Sequence, residues 1–152
     1  SGKDITLVAM SYMSIEAIYA ADYLEKQGIS CEVIDLRTIK PLDWETVMES
    51  VSKTGHLLAL DSGFSTGSVA GEIIARVSME KFNALKLAPA RLAMPDVPEP
   101  TSPALTEGFY VRAADVAEKV MDMLGKDTGQ VRKDLTEPRP HDIPGKWFTG
   151  PF

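Results

Sequence analysis

Hydrophobic positions along the chain follow two alternating rhythms. Short apolar runs rich in β-branched residues mark strands, and stretches with an apolar residue every three or four positions mark helices. Ile5 to Met10 is the first run and predicts a strand. After it, Ser14 can cap a helix by accepting from its free N–H groups, and Glu16 suits the positive end of the helix dipole. Ala17, Ala20, Ala21 and Leu24 then share one helical face. Gly28 supplies a left-handed stop, with Ile29 packing back on Leu24. A second strand is expected over Glu32 to Leu36.

Val33 to Asp61 carries the clearest signals, a strand, a proline-led turn, an amphipathic helix, a glycine stop and another strand. Asp43 is the natural N-cap, and Leu42 can staple onto Val47. Trp44, Val47, Met48 and Val51 follow the i, i+3, i+4, i+7 spacing of one buried helical face. Gly55 ends that helix, and His56 to Leu60 reads as the third strand. A turn punctuated by Gly63, Gly67 and Gly71 leads to a third helix whose inner face is Val69, Ala70, Ile73, Ile74 and Val77. Ala90 to Met94 is the fourth strand. Pro95 to Pro103 holds four prolines in nine residues, which demands an extended surface loop. A last helix, about Ala113 to Leu124, buries Ala113, Val116, Ala117, Val120 and Leu124 and stops at Gly125.

Strands alternating with helices imply a mainly parallel sheet covered on both faces, a three-layer α/β/α domain of the α/β class. It is expected to occupy residues 1–126. Residues 127–152 hold Pro138, Pro140, Pro144 and Pro151 and no period of either kind. They read as a disordered tail or as an arm that wraps a partner through Trp147, Phe148 and Phe152.

Composition narrows the classes. With 152 residues and a net charge of −6, the chain suits one domain, and it lacks the Lys/Arg clusters of a nucleic-acid binder. Its apolar runs are far shorter than the ~20 residues needed to cross a bilayer, so no membrane is expected as a partner. Residues 1–15 lack the pattern of a signal peptide. The single Cys31 reads as a small buried hydrophobe, consistent with a reducing cytoplasm or a mitochondrial matrix.

Catalytic motifs were tested against their required spacings. Asp61 to Gly71 lies between a strand and a helix, where phosphate loops occur, and Ser65, Thr66 and Ser68 could help hold an anion. It lacks the Gly-Lys-Ser/Thr of a Walker loop and the G-x-G-x-x-G of a dinucleotide fold. Gly63-Phe-Ser-Thr-Gly67 meets the G-x-S-x-G string of a hydrolase elbow. The histidine of that fold follows its serine, however, which leaves only His141, because His56 precedes it. Neither histidine has the neighbours of a metal site. Asp35 and Asp61 read as partners of nearby turns rather than as an acid–base pair. No Gly-Asp-Gly segment with a following asparagine is present to bind thiamine diphosphate, so no catalytic, cofactor or metal residue is assigned.

The wording of several segments resembles the C-terminal domain of the transketolase-like family, specifically the β subunit of the E1 component of 2-oxoacid dehydrogenases. The resembling segments are Cys31-Glu-Val-Ile-Asp-Leu-Arg-Thr-Ile-Lys-Pro-Leu-Asp43, Lys53-Thr-Gly-His-Leu57 and Gly71-Glu-Ile-Ile-Ala-Arg76. Pro95-Asp-Val-Pro-Glu-Pro100 and Ser102-Pro-Ala-Leu105 complete the set, in family order over about residues 4–124. The resemblance implies a domain that is not catalytic alone. Thiamine diphosphate and magnesium would be held by other domains of the parent enzyme, which decarboxylates a 2-oxoacid oxidatively and passes the acyl group to lipoyl-E2. The implied partners are the E1 α subunit or remaining E1 domains, a second E1 β and the E2 acyltransferase. Related subunits carry a strand antiparallel to the first one here, before residue 4, so the chain reads as a piece of a longer subunit. Relatives commonly read Leu-Asp-Ala-Pro where this chain reads Leu85-Lys-Leu-Ala-Pro89. Lys86 reverses that charge and counts against the usual E2 contact.

A second reading stays open. A freestanding small-ligand binder or enzyme would use the crevice at the strand C-termini, lined by Ser11, Tyr12, Ser14, Asp61, Ser62 and Ser65.

Overall fold

The computed structural model describes residues 2–136 together with 143 and 145. Four strands form one fully parallel sheet: β1 (Ile5–Ala9), β2 (Cys31–Asp35), β3 (Leu57–Phe64) and β4 (Ala90–Met94), in the spatial order β2-β1-β3-β4. Helices α1 (Tyr12–Lys26), α2 (Trp44–Thr54), α3 (Val69–Lys81) and α4 (Ala113–Met123) pack on its two faces. The expected α/β/α architecture is present.

Side chains that alternate across each strand build two separate cores. Ile5, Leu7 and Ala9 of β1, with Leu58 and Leu60 of β3, face α1 and α4. Val8, Leu57, Ala59 and Ile34 face α2 and α3. Because β1 is central and covered on both sides, all five of its residues are buried, including Thr6. Burial of each large side chain in these cores stabilises the fold by about 1.5–3 kcal/mol. The Thr6 hydroxyl is satisfied by Ser50 Oγ at 2.7 Å and Thr54 Oγ1 at 2.8 Å, both on α2.

Local signals placed most boundaries. Asp43 caps α2 by accepting from Thr46 N–H at 3.1 Å, and Gly55 ends that helix in the left-handed conformation (φ 76°). Gly28 (φ 76°) and Ile29 close α1, with the Ile29 N–H donating to Leu24 O at 2.9 Å. Ser68 caps α3 by accepting from Gly71 N–H.

Three expectations need correction. The helix assigned to a Ser14 cap starts at Tyr12, with Ser11 at the N-cap position and no side-chain cap bond. Ser14 lies inside the first turn, where its hydroxyl donates instead to Asp35 Oδ1 of β2 at 2.6 Å. The third strand runs on past Leu60 to Phe64, through an irregular step in its pairing with β4. Residues 131–135, expected to lack a helical period, form the short helix α5 (Val131–Leu135). Val131 is fully buried against α1 and α4, and Tyr23 of α1 donates to Asp134 at 3.1 Å. Arg132 pairs with Asp115 and Glu118 of α4, both at 2.7 Å.

Candidate functional site

The strand order reverses between β1 and β3, so the carboxyl ends of those strands are where a ligand crevice is expected. Beside that place, past the ends of β3 and β4, two carboxylates of the chain are engaged by its own backbone. Asp61 is buried; one oxygen accepts from Gly63 N–H at 2.9 Å and the other from Ala70 N–H, in the first turn of α3, at 3.3 Å. Asp96, in the loop after β4, accepts from the backbone N–H and the hydroxyl of Thr66 at 2.8 and 2.7 Å. Those two bonds hold its carboxyl below the usual carboxylate range. The amides a phosphate would need are therefore already engaged by negative groups, which also repel one.

The sequence-selected residues divide among several surroundings. Ser11 and Ser14 lie together at the start of α1, Ser11 at its N-cap position and Ser14 in its first turn. Tyr12 turns the other way: its hydroxyl donates to Glu16 Oε1 at 2.6 Å, and the Arg112 guanidinium donates to Tyr12 in turn. Burial and the neighbouring Glu16 raise the Tyr12 pKa. Glu16 is itself buried, pairs with Arg112 at 3.6 Å and accepts from Ala113 N–H at 2.7 Å, so a carboxylate from α1 caps α4. Ser62 is exposed on β3, and the half-buried Ser65 donates its N–H to Met94 O at 2.9 Å.

The hydrolase reading fails on backbone shape. A nucleophile elbow needs a strained turn, but among the described non-glycine residues only Ser11 has positive φ (51°). His56 sits at the opposite end of the sheet, its Nδ1 2.7 Å from Asp4 O. His141 lies outside the described residues, as do Trp147, Phe148 and Phe152. Cys31 is set against the core, and burial pushes its thiol up to about 12, far from a reactive thiolate. Lys86 folds back on α2: its Nζ donates to Thr54 O at 3.0 Å, capping the negative end of the helix.

Next door, between the carboxyl ends of β1 and β2, the described residues form an open groove. It measures about 520 Å³ and is lined by Met10, Ser11, Ser14, Ile15, Ile18, Asp35, Leu36, Arg37 and Ile39. Ile18 and Ile39 are about half exposed, at 48% and 55%. The polar part of the lining is largely occupied, since Ser14 donates to Asp35 and Arg37 Nε pairs with Asp35 Oδ2 at 2.9 Å. The sequence reading picked out Ser11 and Ser14 of this lining as site residues but missed its isoleucines, which carry no signal as single exposed apolar residues. Among the described residues no group of three or more His, Cys, Asp and Glu converges to hold a metal. No described helix is long and apolar enough to cross a membrane.

Comparison with known proteins agrees with the fold. The family model for the transketolase C-terminal domain matches residues 1–116. The β subunit of acetoin:2,6-dichlorophenolindophenol oxidoreductase from Cupriavidus necator is 40% identical over 116 residues, covering 76% of this chain and 34% of that protein. The mitochondrial pyruvate dehydrogenase E1 component subunit β of Ascaris suum is 42% identical over 124 residues, covering 81% and 34%. The Rhizobium meliloti pyruvate dehydrogenase E1 component subunit β is 42% identical over 120 residues, covering 79% and 26%. A solved structure described as a split gene transketolase, an inactive β4 tetramer, superposes with a TM-score of 0.71 at 31% identity, over 82% of this chain and 40% of that one. The chain thus spans a quarter to a third of the length of the curated relatives it matches.

Proposed function

We propose, from the premise that the chain belongs to the transketolase C-terminal domain family and is similar to E1 β subunits, that it is an assembly and interface domain and not a catalytic one. The observation that carries this reading is the contrast at the carboxyl end of the sheet. At the end of β3 the buried Asp61 is spent on backbone amides and the exposed Asp96 on Thr66, whereas the surface at the ends of β1 and β2 is an apolar groove edged by exposed Ile18 and Ile39. Polar groups that are already bonded offer a substrate nothing, and an exposed apolar concavity is a surface for another protein.

In this reading the enzyme served by the domain oxidatively decarboxylates a 2-oxoacid and transfers the acyl group to lipoyl-E2, with thiamine diphosphate and magnesium held outside this chain. Its partners are the remaining E1 domains or an E1 α subunit, a second E1 β and E2. Contact with E2 at Lys86 is disfavoured, because that amine is engaged with the end of α2. The compartment is the cytoplasm, or the mitochondrial matrix in a eukaryote. Titration calorimetry of the chain with thiamine diphosphate and magnesium is expected to give no heat of binding; micromolar affinity would sink this reading.

One observation favours a small-ligand site as the second reading. The volume of the groove is within the usual range of ligand pockets, ~300–1,000 Å³. Only Ser11 and Ser14 of the six residues first chosen for such a crevice line it.

A further inference from the structure

The family match ends at residue 116, and the chain after α4 is nonetheless tied to the domain. Val131 of α5 is buried against α1 and α4, and Arg132 and Asp134 are held by α4 carboxylates and by Tyr23. Further on, Arg112 Nη2 donates to Ile143 O at 2.7 Å. The same guanidinium donates to the Tyr12 hydroxyl and pairs with Glu16, both on the flank of α1 that faces α4. Ser11, Ser14, Ile15 and Ile18 leave the other flank of α1 and line the β1–β2 groove. Ile143 is thus pinned beside the start of α1, separated from that groove by the width of one helix, about 10–12 Å. Nine residues follow it, Trp147, Phe148 and Phe152 among them. An extended chain of that length reaches about 30 Å.

The groove has the chemistry of an aromatic site. Met10, Ile15, Ile18, Leu36 and Ile39 make an apolar concavity that water covers at a cost. At its rim the Arg37 side chain is 87% exposed and held by one edge, Nε on Asp35 Oδ2, which leaves the faces of the guanidinium open. The molecule shows elsewhere what an arginine held in this way does. Arg76 gives its Nε to Glu80 Oε1 at 2.6 Å and lies over the Trp44 ring, 4.2 Å from its centre.

We propose that the β1–β2 groove binds the chain's own C-terminal segment, residues 144–152, with Arg112 as the anchor that brings it there. Trp147 stacks on the Arg37 guanidinium, and Phe148 and Phe152 cover Ile18 and Ile39. Met79 and Phe82 are also exposed, but they follow α3, on the opposite face of the sheet from the Arg112 anchor. The proposal does not depend on the assembly reading. It names what covers the groove in the chain by itself, a cover that any partner at this surface has to displace.

The chain has two tryptophans, so Trp44→Phe leaves Trp147 as the one indole to read. Acrylamide is expected to quench it several-fold less in this folded chain than in a free peptide of residues 143–152. Adding Ile18→Asp and Ile39→Asp should return quenching to the value of the peptide, at unchanged circular dichroism. Quenching of the Trp44→Phe chain that already equals the peptide overturns the proposal. Protection that persists in the aspartate variant also overturns it, because the segment then sits elsewhere. Protection that grows with protein concentration does the same, because the groove is then covered by a second copy. If the aspartate variant does not fold, the full chain carrying Trp147→Ser, Phe148→Ser and Phe152→Ser decides by hydroxyl-radical footprinting. Oxidation of Ile18 and Ile39 is expected to rise several-fold over the unsubstituted chain, with Met79 and Phe82 unchanged as controls. Unchanged labelling of both isoleucines overturns the groove as the site. Thiamine diphosphate binding, which would sink the assembly reading, moves none of these readouts.

Discussion

Two neighbouring gaps lie at the carboxyl end of the same sheet, and they differ in what fills them. Between β1 and β3 the strand order reverses, and topology alone nominates a ligand site. Asp61 and Asp96 instead spend their oxygens on Gly63, Ala70 and Thr66. Between β1 and β2 topology nominates nothing, yet the gap is open and apolar. The comparison teaches that a crevice at a switch point is a site only where its polar groups are left for a ligand. Here they are used to hold the loops in place.

The largest expected effect tests the support shared by both gaps. Glu16 anchors α1 to α4 through Arg112 and Ala113 N–H, with its side chain only 7% exposed. Glu16→Ala removes the acceptor of the Ala113 N–H and of the Tyr12 hydroxyl and is expected to cost about 2–4 kcal/mol, read from the urea midpoint. A change under 1 kcal/mol would mean that the two helices are held by apolar packing alone. Next comes the filled gap itself. Asp61→Ala strands the amides of Gly63 and Ala70 and should cost about 1–3 kcal/mol, with Asp61→Asn closer to the parent protein. If the alanine variant gains affinity for inorganic phosphate by calorimetry, the carboxylate was what excluded anions. The smallest effect is a pH dependence. Asp96 has its pKa lowered by Thr66, so its contribution is complete above the unfolded value of ~3.9 and is lost as pH falls through the folded value. Asp96→Asn should flatten the acid limb of the stability curve by lowering the neutral plateau slightly toward the acid value, a small loss because the group is fully exposed. An unchanged acid limb would show that the Thr66 bonds contribute nothing in solution.

Elements whose cause is local were legible in the sequence. Asp43, Gly55 and Gly28 act within a few residues of themselves, and each helix end they specify falls at or beside the expected residue. The start of α1 was misread because Ser14 has the chemistry of a cap but finds Asp35, 21 residues on, as a better partner. Ser11 takes the cap position through a backbone conformation that no residue-type rule assigns to serine. α5 escaped notice because Val131 is its one buried residue, too few to make a period. The site was less legible than the fold. Whether Asp61 and Asp96 are free or engaged depends on loops that meet only after the sheet has formed, as does the capping of α4 by a glutamate 97 residues away.

The central position of β1 has a consequence for synthesis. Of the four strands described it is made first, and its two neighbours are not made at the same time: β2 follows α1 directly, while β3 emerges only after α2. As the chain leaves the ribosome, a β1-α1-β2 unit can close while the other edge of β1 still presents free amides and carbonyls. Thr6, Leu7 and Val8, the residues that will pair with Leu57, Leu58 and Ala59, are then an apolar strand edge without a neighbour. A nascent domain of this order has its interval of greatest aggregation risk between the synthesis of β2 and that of β3, and slow decoding across α2 would lengthen it.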